Sequence, residues 1–324
     1  MSEENKQMIN DLVTKSIQVS TLDDSVLQPQ YFNKFIQEAT RERTILNDAR
    51  RIVMDAQVVN IDRVGFSGRI MEAAVEDTAA TGADPSFKQE QLTASEYIAM
   101  VGINDRSLRR NIEREGFTNT LISMATNQFG VDWETLAVFG DTTKFATEGS
   151  KDSLLASKNG WVAKCENTVY GDGDSADYDP DDVIAQLDAM IAKFPSEYLQ
   201  RGNLRFYLDS DKFDAYIDEK GLRPTAVGDT TVSQFIAPNY KGIPVVEAPV
   251  LNDSTATKSA NWGKTALLMN PSNMVYGIFH NITMEAEREA KLRKTSYIFT
   301  TEIDQGFENP YVGVVALDDQ EASA

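Results

Sequence analysis

The chain of 324 residues holds a single cysteine, Cys165, and a single histidine, His280. One thiol cannot close an intrachain disulfide or build a thiolate zinc site. Any mechanism that needs two histidines, or a cysteine pair for a metal, is excluded by count. No apolar run approaches the ~18 residues that span a bilayer. The opening Met1–Val13 is polar and acidic, without the basic, apolar and small-residue regions of a secretory signal. These absences imply a cytoplasmic protein with no membrane anchor.

Positive charge is also scarce: 31 Lys+Arg against 50 Asp+Glu leave a formal net charge of -19. Proteins that grip nucleic acid carry basic patches, because phosphate contacts supply most of the affinity. This chain should instead repel duplex DNA weakly, as the wall of a container would, although such a charge also suits any soluble acidic protein. What remains is ordinary for a globular chain, with 41% apolar and 25% charged residues. The length allows a large core and about two domains.

Several short patterns invite a chemical reading, and each has a plainer one. Gly263-Lys264-Thr265 resembles the end of a phosphate-binding loop, but the required glycine five residues earlier is Lys258; a loop leading into a strand at Ala266 fits better. Asp172, Asp174, Asp177, Asp179, Asp181 and Asp182 form an acidic run that could attract calcium. An EF-hand needs glycine at its sixth position and glutamate at its twelfth. Counted from Asp172 those are Asp177 and Val183, and counted from Asp177 they are Asp182 and Asp188. Both frames fail, which leaves a solvated loop with a helix cap. His280 has no nucleophile elbow beside it, and Cys165 lies elsewhere in the chain. Asn252-Asp253-Ser254 and Asn281-Ile282-Thr283 match the glycosylation sequon, which carries no weight without a secretory signal. No catalytic residue, cofactor or metal site is therefore assigned, and the reading is of a non-enzyme.

Periodicity then gives a sequence of elements. A helix is expected over Tyr31 to Thr40, with Phe32, Phe35 and Ile36 on one face. Ile52, Val53, Val58, Val59, Ile61 and Val64 lie in strand-like runs. Gly65 to Gly68 reads as a turn, and the small, polar stretch Glu76 to Pro85 as the exposed tip of a long hairpin. Its return run is placed at Tyr97, Ala99, Val101 and Ile103, which alternate with period two. Short and long helices follow at Arg106 to Glu115 and Thr118 to Phe139, the second with Leu121, Met124, Trp133, Leu136 and Phe139 at helical spacing and Gly140 as its C-terminal cap.

Asp141 to Asp177 reads as loop-rich. Asp179-Pro180 opens a further helix, with Val183, Leu187, Met190, Ile191 and Phe194 as its buried stripe. Strand, helix, strand and strand are expected at Leu204 to Leu208, Ser210 to Lys220, Ile243 to Glu247 and Ala266 to Met269. Ile282 to Ala290, Thr295 to Ile303 and Tyr311 to Leu317 complete a β-rich end with an acidic tail. The pattern is α+β with one protruding hairpin.

From Pro29 to Leu317 this order of elements resembles the major capsid proteins of tailed bacteriophages, the Hong Kong 97 type of fold. Ile103-Asn104-Asp105-Arg106-Ser107-Leu108 looks like that family's passage from its extended loop into its spine helix. Phe117 to Gly140 looks like the spine helix, and Lys241-Gly242-Ile243-Pro244-Val245-Val246 like the G-x-P-V strand of its axial domain. Ala266-Leu267-Leu268-Met269-Asn270-Pro271, Arg288 and Asp304 fit the peripheral-domain strands. The resemblance implies an N-terminal arm at 1–26, then a helix and the start of the peripheral domain at 27–55. An extended β-hairpin loop at 56–103 and a spine helix region at 104–140 would follow, then an axial domain with loops at 141–265 and a C-terminal β-rich peripheral domain with its tail at 266–324.

It further implies self-assembly of pentamers and hexamers into an icosahedral head around double-stranded DNA, without sequence-specific DNA binding. Expected partners are a separate scaffolding protein (26 residues being too few for a built-in one, unless the sequence is already the mature form), a portal and a decoration protein. The protein would be made in the bacterial cytoplasm, reside in the virion, and assemble in a salt-dependent way because of its self-repulsion. Some relatives join Lys to Asn between subunits; Lys88 and Asn309 are formally available, and a surface lysine and a turn asparagine are their plainer readings. Two other readings compete. An encapsulin shell around a cargo enzyme has a related fold, though the N-terminal arm argues against it. A calcium-binding or hydrolytic module on the aspartate run would show a metal-dependent thermal melt.

Overall fold

The computed structural model describes residues 44–66, 71, 85–104, 115–146, 152–171, 176–221, 238–252 and 264–318. The expected arm at 1–26, the helix from Tyr31 to Thr40, the hairpin tip at 76–84, the start of the short helix at 106–114, and Asp172, Asp174, Lys258 and Gly263 lie outside them.

In chain order the elements are α1 (Thr44–Asp48), β1 (Arg50–Val53), β2 (Val58–Phe66), β3 (Pro85–Thr93), β4 (Ser95–Asn104), α2 (Glu115–Phe139), α3 (Trp161–Lys164), β5 (Thr168–Tyr170), α4 (Val183–Lys193), β6 (Arg205–Leu208), α5 (Ser210–Gly221), β7 (Asn239–Tyr240), β8 (Ile243–Glu247), β9 (Thr265–Met269), β10 (Met274–Glu289), β11 (Lys294–Phe307) and β12 (Gly313–Leu317). They form a four-stranded sheet in the order β1-β10-β11-β4, a six-stranded sheet in the order β5-β12-β9-β6-β8-β7, and the separate two-stranded sheet β2-β3. The described residues divide into a smaller unit, drawn from 96–126 and 280–302, and a larger one, drawn from 44–95, 127–279 and 303–318.

The six-stranded sheet is the core of the larger unit. β9 and β12, TALLM and GVVAL, are buried at every position, as unbroken apolar runs covered on both faces should be. They pair antiparallel, Leu268 opposite Val314 and Ala266 opposite Ala316. α4 lays Val183, Leu187 and Met190 on one face, and Phe194 just beyond its end, against Phe206, Leu208, Val245, Leu268 and Val314, with Tyr216 from α5. Each such apolar side chain removed from water contributes roughly 1.5–3 kcal/mol. The β7–β8 hairpin turns at Lys241 and Gly242, both at positive φ (48 and 85), which only glycine adopts without cost.

The structure departs from the sequence reading, or adds to it, at several places. The helix after the aspartate run is capped by Asp182, whose side chain accepts from the Ala185 amide; Asp179-Pro180-Asp181 forms a turn before it, because the Asp179 carboxylate binds the nearby Asp181 amide instead (3.1 Å). The loop-rich segment 141–177 also holds α3 and the edge strand β5, parallel to β12, which the sequence reading did not place. β2 runs through Gly65 to Phe66, with no turn there.

Gly140 ends α2 as expected, but not through a positive φ. Its amide bonds the Leu136 carbonyl (2.9 Å) and its carbonyl receives the Gly160 amide (2.7 Å). A Cβ on Gly140 would lie 2.2 Å from the Lys158 carbonyl oxygen, so close backbone approach selects the glycine. In the larger unit α2 shows no one-sided stripe near this end, since Trp133, Glu134 and Leu136 to Phe139 are all buried.

Candidate assembly surface

The hairpin β2–β3 belongs to the larger unit, and no other strand among the described residues pairs with it. Nine residue pairs, from Val58 opposite Thr93 to Phe66 opposite Pro85, define its register, a length of about 30 Å at the usual strand rise. The return strand is therefore Pro85–Thr93. The run Tyr97–Ile103 belongs to β4 in another sheet, where Tyr97, Ala99 and Val101 are half-buried and Ile98 and Met100 exposed. Period two there reported a real strand but not the hairpin's partner. The true partner reads PSFKQEQLT, too polar to register as a strand by hydrophobic alternation.

Strand alternation gives the hairpin two different faces. On the outer one, Gln89 Nε2 donates to Asp62 Oδ1 (2.7 Å) and Gln91 Nε2 to Asn60 Oδ1 (3.2 Å). Nearer its far end that face turns apolar: Val64 stands opposite Phe87, and they remain 63% and 73% exposed, with Phe66 exposed beside them. The inner face grows more buried toward the base. Val59 and Ile61 pack on a cluster of Met54, Leu92, Ala94 and Val275. Leu92 fits closely over two glycines: a Cβ on Gly306 would meet Leu92 Cδ2 at 3.0 Å, and one on Gly277 would meet Met54 Sδ at 2.5 Å and Leu92 Cδ1 at 3.3 Å.

Beneath the distal half of the hairpin runs a groove of about 990 Å³, lined among others by Arg63, Lys88, Glu197, Tyr198, Glu308 and Tyr311. Lys88 Nζ lies 5.5 Å from the centre of the Tyr311 ring, within range of a cation–π contact. Asn309 also lines this groove, and its Oδ1 accepts from the Tyr311 amide (3.2 Å). Its own amide donates to Asn273 Oδ1 (2.8 Å). It is a turn-forming asparagine, and Lys88 an exposed lysine.

The other residues singled out in the sequence have structural employment. Lys264 pairs with Asp211 (2.8 Å) and lies 3.9 Å from Asp209, while Thr265 is buried as the first residue of β9. Asp177 Oδ2 accepts the Tyr170 amide (3.1 Å). No group of three or more His, Cys, Asp or Glu side chains able to hold a metal occurs among the described residues. Cys165 is buried, its thiol pushed up to about 11 by desolvation, and so unreactive at neutral pH. His280 lies exposed on β10, its carbonyl accepting from Thr301 Oγ1 (2.9 Å). Sequence reasoning missed Lys158 and placed Asp304 only in a peripheral-domain strand; both bond Thr93 at the hairpin's base.

Comparison with known proteins bears on this arrangement. No protein-family model matches the chain. A curated relative, "Putative prophage capsid protein YqbE" of Bacillus subtilis (strain 168), is 28% identical over 312 residues, 94% of this chain and 95% of its own. Among solved structures, a chain of the satellite phage P4 procapsid including size determination (Sid) protein superposes with a TM-score of 0.64 at 14% identity, covering 99% of this chain and 98% of that one. The capsid of an empty GTA particle gives 0.57 at 12% identity, over 86% of this chain and 90% of that one. Mycobacterium phage Che8 gives 0.53 at 14%, over 85% and 90%. At such identities the likeness establishes the fold: an α+β fold that resembles, broadly, capsid proteins of the Hong Kong 97 type.

Proposed function

We propose that this chain is the major capsid protein of a tailed bacteriophage or prophage, a structural subunit that self-assembles into an icosahedral head around double-stranded DNA. The observation that carries this reading is the near end-to-end match to capsid chains, 99% of this chain and 98% of the P4 procapsid chain. The 28% identity to a protein named as a prophage capsid protein points the same way. The hairpin supplies a physical reason: a two-stranded sheet is marginal alone, and its Val64–Phe87 end is left uncovered, so a neighbouring copy is its natural cover.

The net charge of -19 suits an inner wall past which DNA slides. Pentamers and hexamers of the chain, a separate scaffolding protein, a portal and a decoration protein are the partners this role entails, and the virion is its location. Negative-stain electron microscopy of the purified protein tests it. Closed shells or capsomer rings are expected, and dispersed single particles at every salt concentration, with scaffold supplied, would overturn it.

A further inference from the structure

The hairpin joins the rest of the larger unit at Thr93 and Ala94, and the way Thr93 is held is unusual. Its amide donates to Asp304 Oδ2 (2.6 Å), and its carbonyl accepts from Lys158 Nζ (2.7 Å). Both backbone groups are thus gripped by side chains of opposite charge. Asp304 is buried and its other oxygen accepts the Gln305 amide (2.9 Å), so the carboxylate is fixed from two sides. Ala94 is tied to Gln57 on the other leg, by its amide to the Gln57 carbonyl (2.8 Å) and by its carbonyl to Gln57 Nε2 (3.4 Å). Further out, the Lys88–Tyr311 contact bridges an otherwise open groove.

Such a lever takes its direction from its joint. Bonds from two long or charged side chains can be lost without breaking any rung of the β2–β3 ladder, whereas bending within the strands would break the ladder itself.

We propose that Asp304 and Lys158 are positioning residues that set the direction in which the β2–β3 hairpin leaves the body, and thereby where its apolar end is presented. The consequence for a shell rests on the function proposed above; the joint itself does not.

The test places spin labels at Gln89→Cys on the hairpin and Lys193→Cys at the end of α4, in the full chain carrying Cys165→Ala. Distances are measured on dispersed protein at low salt, so the reading is independent of whether shells form. Asp304→Asn leaves either Thr93 or Gln305 facing an amide NH₂, and Lys158→Met leaves the Thr93 carbonyl without its donor. In each, the distance distribution should broaden to about twice its wild-type width while hydrogen exchange of the β2–β3 ladder amides stays at the wild-type rate. Lys158 is only half-buried, so Lys158→Met decides the matter if Asp304→Asn fails to fold. An unchanged distribution in Lys158→Met, or broadening that comes only with loss of ladder protection, would overturn the assignment.

Discussion

Glu134 sits within α2 yet serves another helix. Its Oε1 accepts the amides of Ile45 (2.9 Å) and Leu46 (3.2 Å), 89 and 88 residues away, satisfying donors that the first turn of α1 leaves open. The carboxylate is buried, so Glu134→Ala strands two amides and should cost about 2 kcal/mol or more. Glu134→Gln keeps an acceptor in place and should cost less than half as much, and chemical denaturation of the two variants separates these outcomes. Asp188 shows how charge enters stability at the surface. Burial, the largest single influence, raises its pKa, but hydrogen bonds from Lys241 Nζ (2.5 Å) and Tyr240 OH (2.6 Å), with the lysine's charge, together outweigh it and hold it below the ordinary carboxylate value. A depressed carboxylate stabilises the fold above its unfolded pKa of ~3.9, and that contribution fades as pH falls through the lower folded value. The pair is half exposed, so wild type should exceed Asp188→Asn by under about 1 kcal/mol near neutrality. The difference should shrink in urea titrations below the unfolded pKa and vanish only below the lower folded one.

At the scale of elements, the hairpin's base is a matter of shape. Leu92 is 1% exposed, and Gly306 leaves room for its Cδ2. Gly306→Ala should therefore overpack the joint by about 1–3 kcal/mol, and Leu92→Ala should open a void worth about 2–5 kcal/mol. Because both act on one contact, Gly306→Ala should cost markedly less in the Leu92→Ala background, which a denaturation double-mutant cycle reads directly. The sequence announced strands where hydrophobic residues alternate or run together, as in β2, β8, β9 and β12. It did not announce β3, since Gln89, Glu90 and Gln91 are solvated or paired across the hairpin and only Leu92 touches the core. Nor did it reveal β5, three residues long, whose place is fixed by Asn167 Nδ2 bonding the carbonyls of Tyr311 (2.9 Å) and Gly313 (3.0 Å) on the far side of the chain. Long-range polar contacts of this kind have no local period to betray them.

At the scale of the whole molecule, the order of the longer helices and strands was legible because those core elements carry their own apolar signatures. The candidate surface was legible only as a hairpin without its correct return strand. What the register adds is that Val64 and Phe87 form one exposed cross-strand pair. Such a pair contributes only ~0.2–1 kcal/mol to the hairpin itself, so Val64→Thr with Phe87→Ser should barely move the thermal midpoint. Against a neighbouring copy the same two side chains would each bury apolar surface worth roughly 1.5–3 kcal/mol. The concentration needed for assembly should therefore rise by at least about tenfold. Added salt works in the opposite sense, because subunits of charge -19 repel one another until the screening length falls to about 10 Å near 0.1 M. Light scattering across a salt series should show both chains assembling more readily as salt rises, the variant always lagging. If the variant assembled at the wild-type threshold while melting at the wild-type temperature, the apolar end of the hairpin would not be where copies meet.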